Sequence, residues 1–315
     1  MWRKFRNFLI FAVVSKSNIS KVKPFILPAA MILGALFHAQ IGRLAPLMPY
    51  LIALMLFITY CRIDLRKVRL TSFSLWLTAV QIGGGIAAYF LLRPFGEAVA
   101  QGVMICMMCP VATAAPVVTA MLGGNIERVM TFSLASNLAV AVIAPLMFAY
   151  VGQGGDVSFL SALGAICLKV LPLLLLPLLA ALAFRSVTPR ACAVVANHQS
   201  LSFYIWSVAL TIVMARAFDF FFSEPGSAYD VVFLAVASLV VCCILFYVGH
   251  KIGSHYNDDV AGTQSLGQKN TILALWMSFT FLNPVSSVGP AAYIIWQNII
   301  NTAQIFRFTR HGQHI

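Results

Sequence analysis

Ten long stretches, apolar nearly all round, divide this chain: they lie near 24–40, 45–61, 72–92, 98–122, 126–150, 158–184, 199–218, 229–250, 260–283 and 286–306. A bilayer's hydrocarbon core, about 30 Å thick, takes roughly 20 residues of helix to cross. In that solvent each backbone N–H and C=O must find its partner inside the protein, so a chain built this way is held to helices. Its makeup agrees, with 61% of the 315 residues hydrophobic and only 10% charged. The expected fold class is an all-α integral membrane protein of about ten transmembrane helices.

The net charge of +12 could point to nucleic acid, but the basic residues follow the membrane instead. With both termini cytoplasmic, inner segments hold Arg3, Lys4, Arg6, Lys16, Lys21, Lys23, Arg62, Arg66, Lys67, Arg69, Arg128, Arg185, Arg190, Lys251, Arg307 and Arg310. Outer segments hold Arg43, Arg93 and Arg216. Such asymmetry is the positive-inside bias, and it gives the surplus charge a role in orientation rather than in nucleic-acid binding. Lys169 and Lys269 remain, both inside expected spans.

Residues 1–23 mix basic residues with a short apolar patch, FLIFAVV, and no clean small-residue cleavage site follows it. They read as a cytoplasmic lead-in ahead of a transmembrane transporter at 24–306 and a cytoplasmic tail at 307–315. The seven cysteines lie in or beside spans and read as small hydrophobes, so neither a disulfide framework nor a metal site is expected. No cofactor is expected apart from a coupling ion.

Ten spans divide into five and five, and an odd number of crossings per half makes the halves enter the membrane in opposite directions. Interruptions fall at matching places. Span four carries CPVATAAPVVTAMLGGN (109–125), with Pro110, Pro116 and a Gly123-Gly124 pair, and span nine carries GTQSLGQKNTI (262–272). Proline breaks the helical ladder, and a polar run at membrane depth must face protein or a water-filled cavity. Paired broken helices are the sequence mark of a midplane binding site.

On these residues the chain resembles the bile acid:sodium symporter (BASS) family. Cys109, Pro110, Thr113, Ala114, Val117, Thr119 and Asn125 match the family's CPGGTASNVMTYLARGN-type stretch. GQKNTILA is similar to GMQNSGLA through Gly267, Asn270, Leu273 and Ala274, and GPAAYIIWQNI to PGALFSVWHNI through Ala291, Trp296, Asn298 and Ile299. The resemblance implies a core domain of spans 3–5 and 8–10 (about 72–150 and 229–306), in which helices 4 and 9 cross. A panel domain of spans 1, 2, 6 and 7 (about 24–61 and 158–218) completes it. It also implies alternating-access transport of a small organic anion such as a carboxylate, with Thr113 and Asn270 at the family's substrate-contacting positions. Thr119, Asn298, Gln81, Asn137 and Gln297 are further polar candidates, and Asn125 reads as a helix C-cap or a site residue.

The family's sodium ligands are mostly replaced. Its Ser-Asn pair is Ala115-Pro116 here, its span-five serine is Val129, and Ser133 stands near its threonine. Its glutamate, which serves both sodium sites, aligns with Ser265, or with Gln264 after a one-residue shift, and its glutamine aligns with Lys269. These departures argue against sodium binding in the family's manner. Three readings of Lys269 follow: a tethered ammonium in place of the cation, a proton carrier, or a snorkelling side chain without a role. Lys169 reaches either the cavity or an interface.

All nine carboxylates fall in loops or at span ends, which disfavours a membrane-embedded enzyme. The alternatives are such an enzyme or a ligand sensor on a transporter-like fold. The expected surroundings are the lipid bilayer of a cell membrane, without nucleic acid. Substrate identity and oligomeric state are not encoded in any motif.

Overall fold

A computed structural model describes residues 29–30, 32–63, 68–152, 158–197, 199–223 and 228–312. The lead-in at 1–23 and residues 313–315 of the tail lie outside the described residues. Those described are almost wholly helical. From His38 on, thirteen α-helices follow one another: α1 His38–Ile41, α2 Met48–Tyr60, α3 Ser72–Leu92, α4 Glu97–Met108, α5 Ala115–Met121, α6 Ile126–Val151 and α7 Phe159–Val187. Then come α8 Pro189–Asn197, α9 Gln199–Ser223, α10 Ala228–His255, α11 Asp259–Gly267, α12 Thr271–Phe281 and α13 Val288–Gly312. Short 3-10 turns at Gly42–Leu47, Arg93–Phe95 and Pro284–Ser287 lead into α2, α4 and α13.

Among the described residues five helical stretches are long and apolar enough to cross a membrane: His38–Tyr60, Ser72–Phe95, Ile126–Val151, Phe159–Val187 and Ala228–His255. Helices α4 and α12 are apolar but shorter. They are short because each belongs to a stretch that the sequence interrupts. Fourth and ninth expected spans are split into α4/α5 and α11/α12, at 109–114 and 268–270. Helix α8, between the sixth and seventh expected spans, is an addition that length-based reading passed over, and α13 carries the expected tail on as helix to Gly312.

Local chemistry explains the joints. Pro116 sits in the first turn of α5, where no intrahelical N–H bond is lost. Helix α5 ends in a Schellman turn, with Gly124 N–H bonding Thr119 O at 2.9 Å, Gly123 N–H bonding Ala120 O at 3.3 Å, and Gly123 at φ +77°, where a side chain would be strained. Asn125 then caps the next helix, accepting from Arg128 N at 3.2 Å. It is an N-cap of α6, so the C-cap expectation is corrected: the glycine pair ends α5 and leaves the asparagine free to start α6.

Helices α10 and α11 lie backbone to backbone. A methyl on Gly249 would stand 2.5 Å from Gly262 O, so small residues at both places let the helices touch. This contact holds the first half of the second broken helix against α10.

Candidate functional site: the paired helix breaks

The two interruptions meet. Val111 and Lys269 form an antiparallel bridge, in which Asn270 N–H donates to Pro110 O at 2.8 Å and Ala112 N–H donates to Gln268 O at 3.0 Å. Each break exposes backbone groups that hydrocarbon cannot satisfy, and each break supplies the other's partners. Cys109 Sγ adds a bond to Asn270 O at 2.9 Å.

Neighbouring helices cap what the bridge leaves over. Gln81 on α3 donates from Nε2 to Met108 O at 2.7 Å and to Cys109 O at 3.1 Å, while its Oε1 accepts from Ser136 Oγ at 2.8 Å. Tyr293 on α13 donates its hydroxyl to Gly267 O at 2.8 Å, and Gln297 Oε1 accepts the Lys269 N–H at 2.9 Å. Gln81 and Gln297 were legible only as polar residues in apolar helices; their capping role depends on distant partners. Asn298, one residue on, bonds its own helix at Ile294 O, 2.6 Å away.

Lys269 is the outlier. Its side chain is 1% exposed, and among the described residues Nζ has no hydrogen-bond partner. Ser265 Oγ, one helical turn earlier, is likewise buried and unpartnered. Asn270 is buried and caps α12, its Oδ1 accepting from Leu273 N at 3.3 Å. Thr113 lies half-buried in the first break.

Other expected site residues are turned to packing. Thr119 is fully buried and donates to Ala115 O at 2.8 Å within α5. Ala115 and Val129 are fully buried in one apolar cluster with Cys106, Val111 and Phe132, and Pro116 is buried beside Ala115. Ser133 is buried, its carbonyl taking a 2.7 Å bond from Asn137 Nδ2. Gln264 belongs to an amide ladder: Gln268 Nε2 donates to Gln264 Oε1, and Gln264 Nε2 donates to Gln304 Oε1 at 2.7 Å. That ladder leads from the second break to a cavity of about 320 Å³ lined by His250, Asp259, Thr263, Gln264, Gln304 and Arg307, among others.

The sequence model of a family described as the SBF-like CPA transporter family matches residues 60–299, about three quarters of the chain. Comparison with curated proteins finds no match.

Proposed function

Since the chain belongs to the SBF-like CPA transporter family, we propose that it carries a small organic anion, a carboxylate by charge and site chemistry, across a cell membrane by alternating access, with Lys269 standing where a coupling cation would bind. Ten crossings, arranged as two inverted five-helix repeats, place the paired breaks near the bilayer midplane. Core spans 3–5 and 8–10 then rock against panel spans 1, 2, 6 and 7, and both termini face the cytoplasm.

One observation carries this reading: a lysine with no bonded partner for Nζ, 1% exposed, on the bridge that joins the two breaks. A lysine at such depth costs roughly 2.5–3.5 kcal/mol on insertion scales. It persists where it meets a transported anion or replaces a bound ion. Helix N-termini at α5 and α12 add positive dipole ends for the same anion, with Thr113 and Asn270 beside them.

Residues at the sodium-ligand positions support the replacement. Ala115, Pro116 and Val129 offer no side-chain oxygen, and Ser265 offers a hydroxyl where the resembling family has a carboxylate. Two sodium ions on one glutamate amount to a single positive charge. One lysine without the glutamate amounts to the same. The set does not fit sodium. An ammonium that sheds its proton would also provide proton coupling at the same atom.

Uptake of labelled carboxylates into proteoliposomes tests this, with sodium replaced by choline. The expected result is unchanged uptake in choline for the wild type and its loss in Lys269→Gln. Strict sodium dependence of the wild type would overturn it. A pH gradient that drives uptake in sodium-free buffer would assign Lys269 the proton; uptake indifferent to such a gradient would leave it a fixed charge.

A further inference from the structure

A second intramembrane lysine stands apart from the breaks. Lys169 lies on α7 and lines a groove of about 580 Å³ between α2 and α7. Both helices contribute apolar residues to it, Leu54 and Phe57 from one and Leu173, Leu176 and Ala180 from the other. Lys169 is the sole charge in that lining, is exposed, and has no hydrogen bond or ion pair among the described residues.

The helices run parallel, which fixes where the charge lies along the groove. Arg185 Nη2 donates to Cys61 O at 2.8 Å, and Phe57 and Phe184 rings are 5.7 Å apart, so α2 and α7 share one end. Lys169 and the 3-10 turn Gly42–Leu47, which carries exposed Arg43 and supplies Pro46 to the lining, therefore share the other. The carboxylate that packs against that turn, Asp219, is engaged by His38 at 3.3 Å and Arg216 at 3.8 Å. Lys169 thus lines that end of an apolar channel, and exposed Arg43 stands on the turn beside it, neither with an ion pair among the described residues.

Depth favours an amphiphile. Upright and centred in a hydrocarbon core about 30 Å thick, a helix as long as Phe159–Val187 would overhang it by about 6 Å at each end, with the Lys169 backbone about 9 Å below the boundary, within snorkelling reach of a headgroup. From Lys169 to Ala180 the groove then runs about 16 Å further, the scale of an acyl chain.

We propose that this groove is a binding site for an anionic phospholipid of the surrounding bilayer, with the phosphate between Lys169 and Arg43 and an acyl chain laid along Leu173, Leu176 and Leu54. The site is independent of what the paired breaks transport. Phosphate supplies the counter-charge that Lys169 lacks in hydrocarbon, and the acyl chain fills the apolar channel.

Native mass spectrometry of the full chain, with phosphatidylglycerol and phosphatidylcholine of identical acyl chains in competition, reads this out. The expected result is selective retention of phosphatidylglycerol, by about fivefold for each cation engaged. Lys169→Gln and Arg43→Gln each weaken the preference, the double variant abolishes it, and Lys169→Arg keeps it. Leu176→Trp, which fills the channel without touching the charge, lowers retention of both lipids and serves if the glutamine variants fail to fold. Equal retention of the two lipids by the wild type would overturn the proposal, as would a preference that survives the double variant. Displacement of the lipid by glycerol phosphate at matched concentration would also overturn it, because the site would then take a soluble anion.

Discussion

Lys269 combines two properties that rarely meet in one residue, complete burial and an unpartnered Nζ. A group retained at that cost works against stability and in favour of function. Replacing it with an apolar side chain of similar length should show both effects at once. In Lys269→Met the melting temperature in detergent should rise, corresponding to about 2 kcal/mol of relieved desolvation, while carboxylate uptake is lost. A variant that melts lower would mean that the lysine has a partner and is structural. Asn270→Ala, by contrast, removes a helix cap and should cost about 1 kcal/mol in the same melting assay. Lys269 could be singled out in the sequence because nothing explains an ammonium inside an apolar run. The role of Gln297 could not, since its bond to the Lys269 backbone joins positions on two different helices.

Elements here are defined as much by where they stop as by where they run. Prolines at 110 and 116, the glycine pair at 123–124 and the polar run before 271 all mark joints in the chain, and each joint appears in the fold. What holds the joints is not local. Gln81 reaches across from α3 to take two carbonyls at the end of α4. Gln81→Leu therefore leaves those carbonyls unsatisfied in a dry interior, and should cost about 1–3 kcal/mol by thermal melting. Uptake should fall with it, because the first break loses its anchor. Gly262→Val tests the other half: branched atoms against Gly249 O should force α10 and α11 apart and destabilise more than Gly83→Val, whose surroundings are open. Equal loss for the two glycine variants would contradict the backbone contact described for α10 and α11.

At the scale of the whole molecule, charge asymmetry makes the broadest prediction. Arg62, Arg185 and Arg190 gather where α2 ends and α7 and α8 join, whereas Arg43 and Arg216 lie near the opposite end of α2 and α9. Fluorescent-protein tags at either terminus should both glow, as cytoplasmic folding requires, and a dark tag at one end would refute ten crossings. By itself the sequence determined the membrane class, the punctuation of the spans and the oddity of two lysines inside apolar stretches. Those are properties of composition and local backbone chemistry, which need no knowledge of neighbours. Only the tertiary structure decided that the two breaks bond to each other, and that Gln81, Tyr293 and Gln297 close what the breaks leave open. It also set Lys169 in a groove between α2 and α7. Helices apolar all round carry no periodic mark of which face meets which partner, so long-range contacts in such a chain are settled by packing and by backbone groups seeking bonds where water is absent.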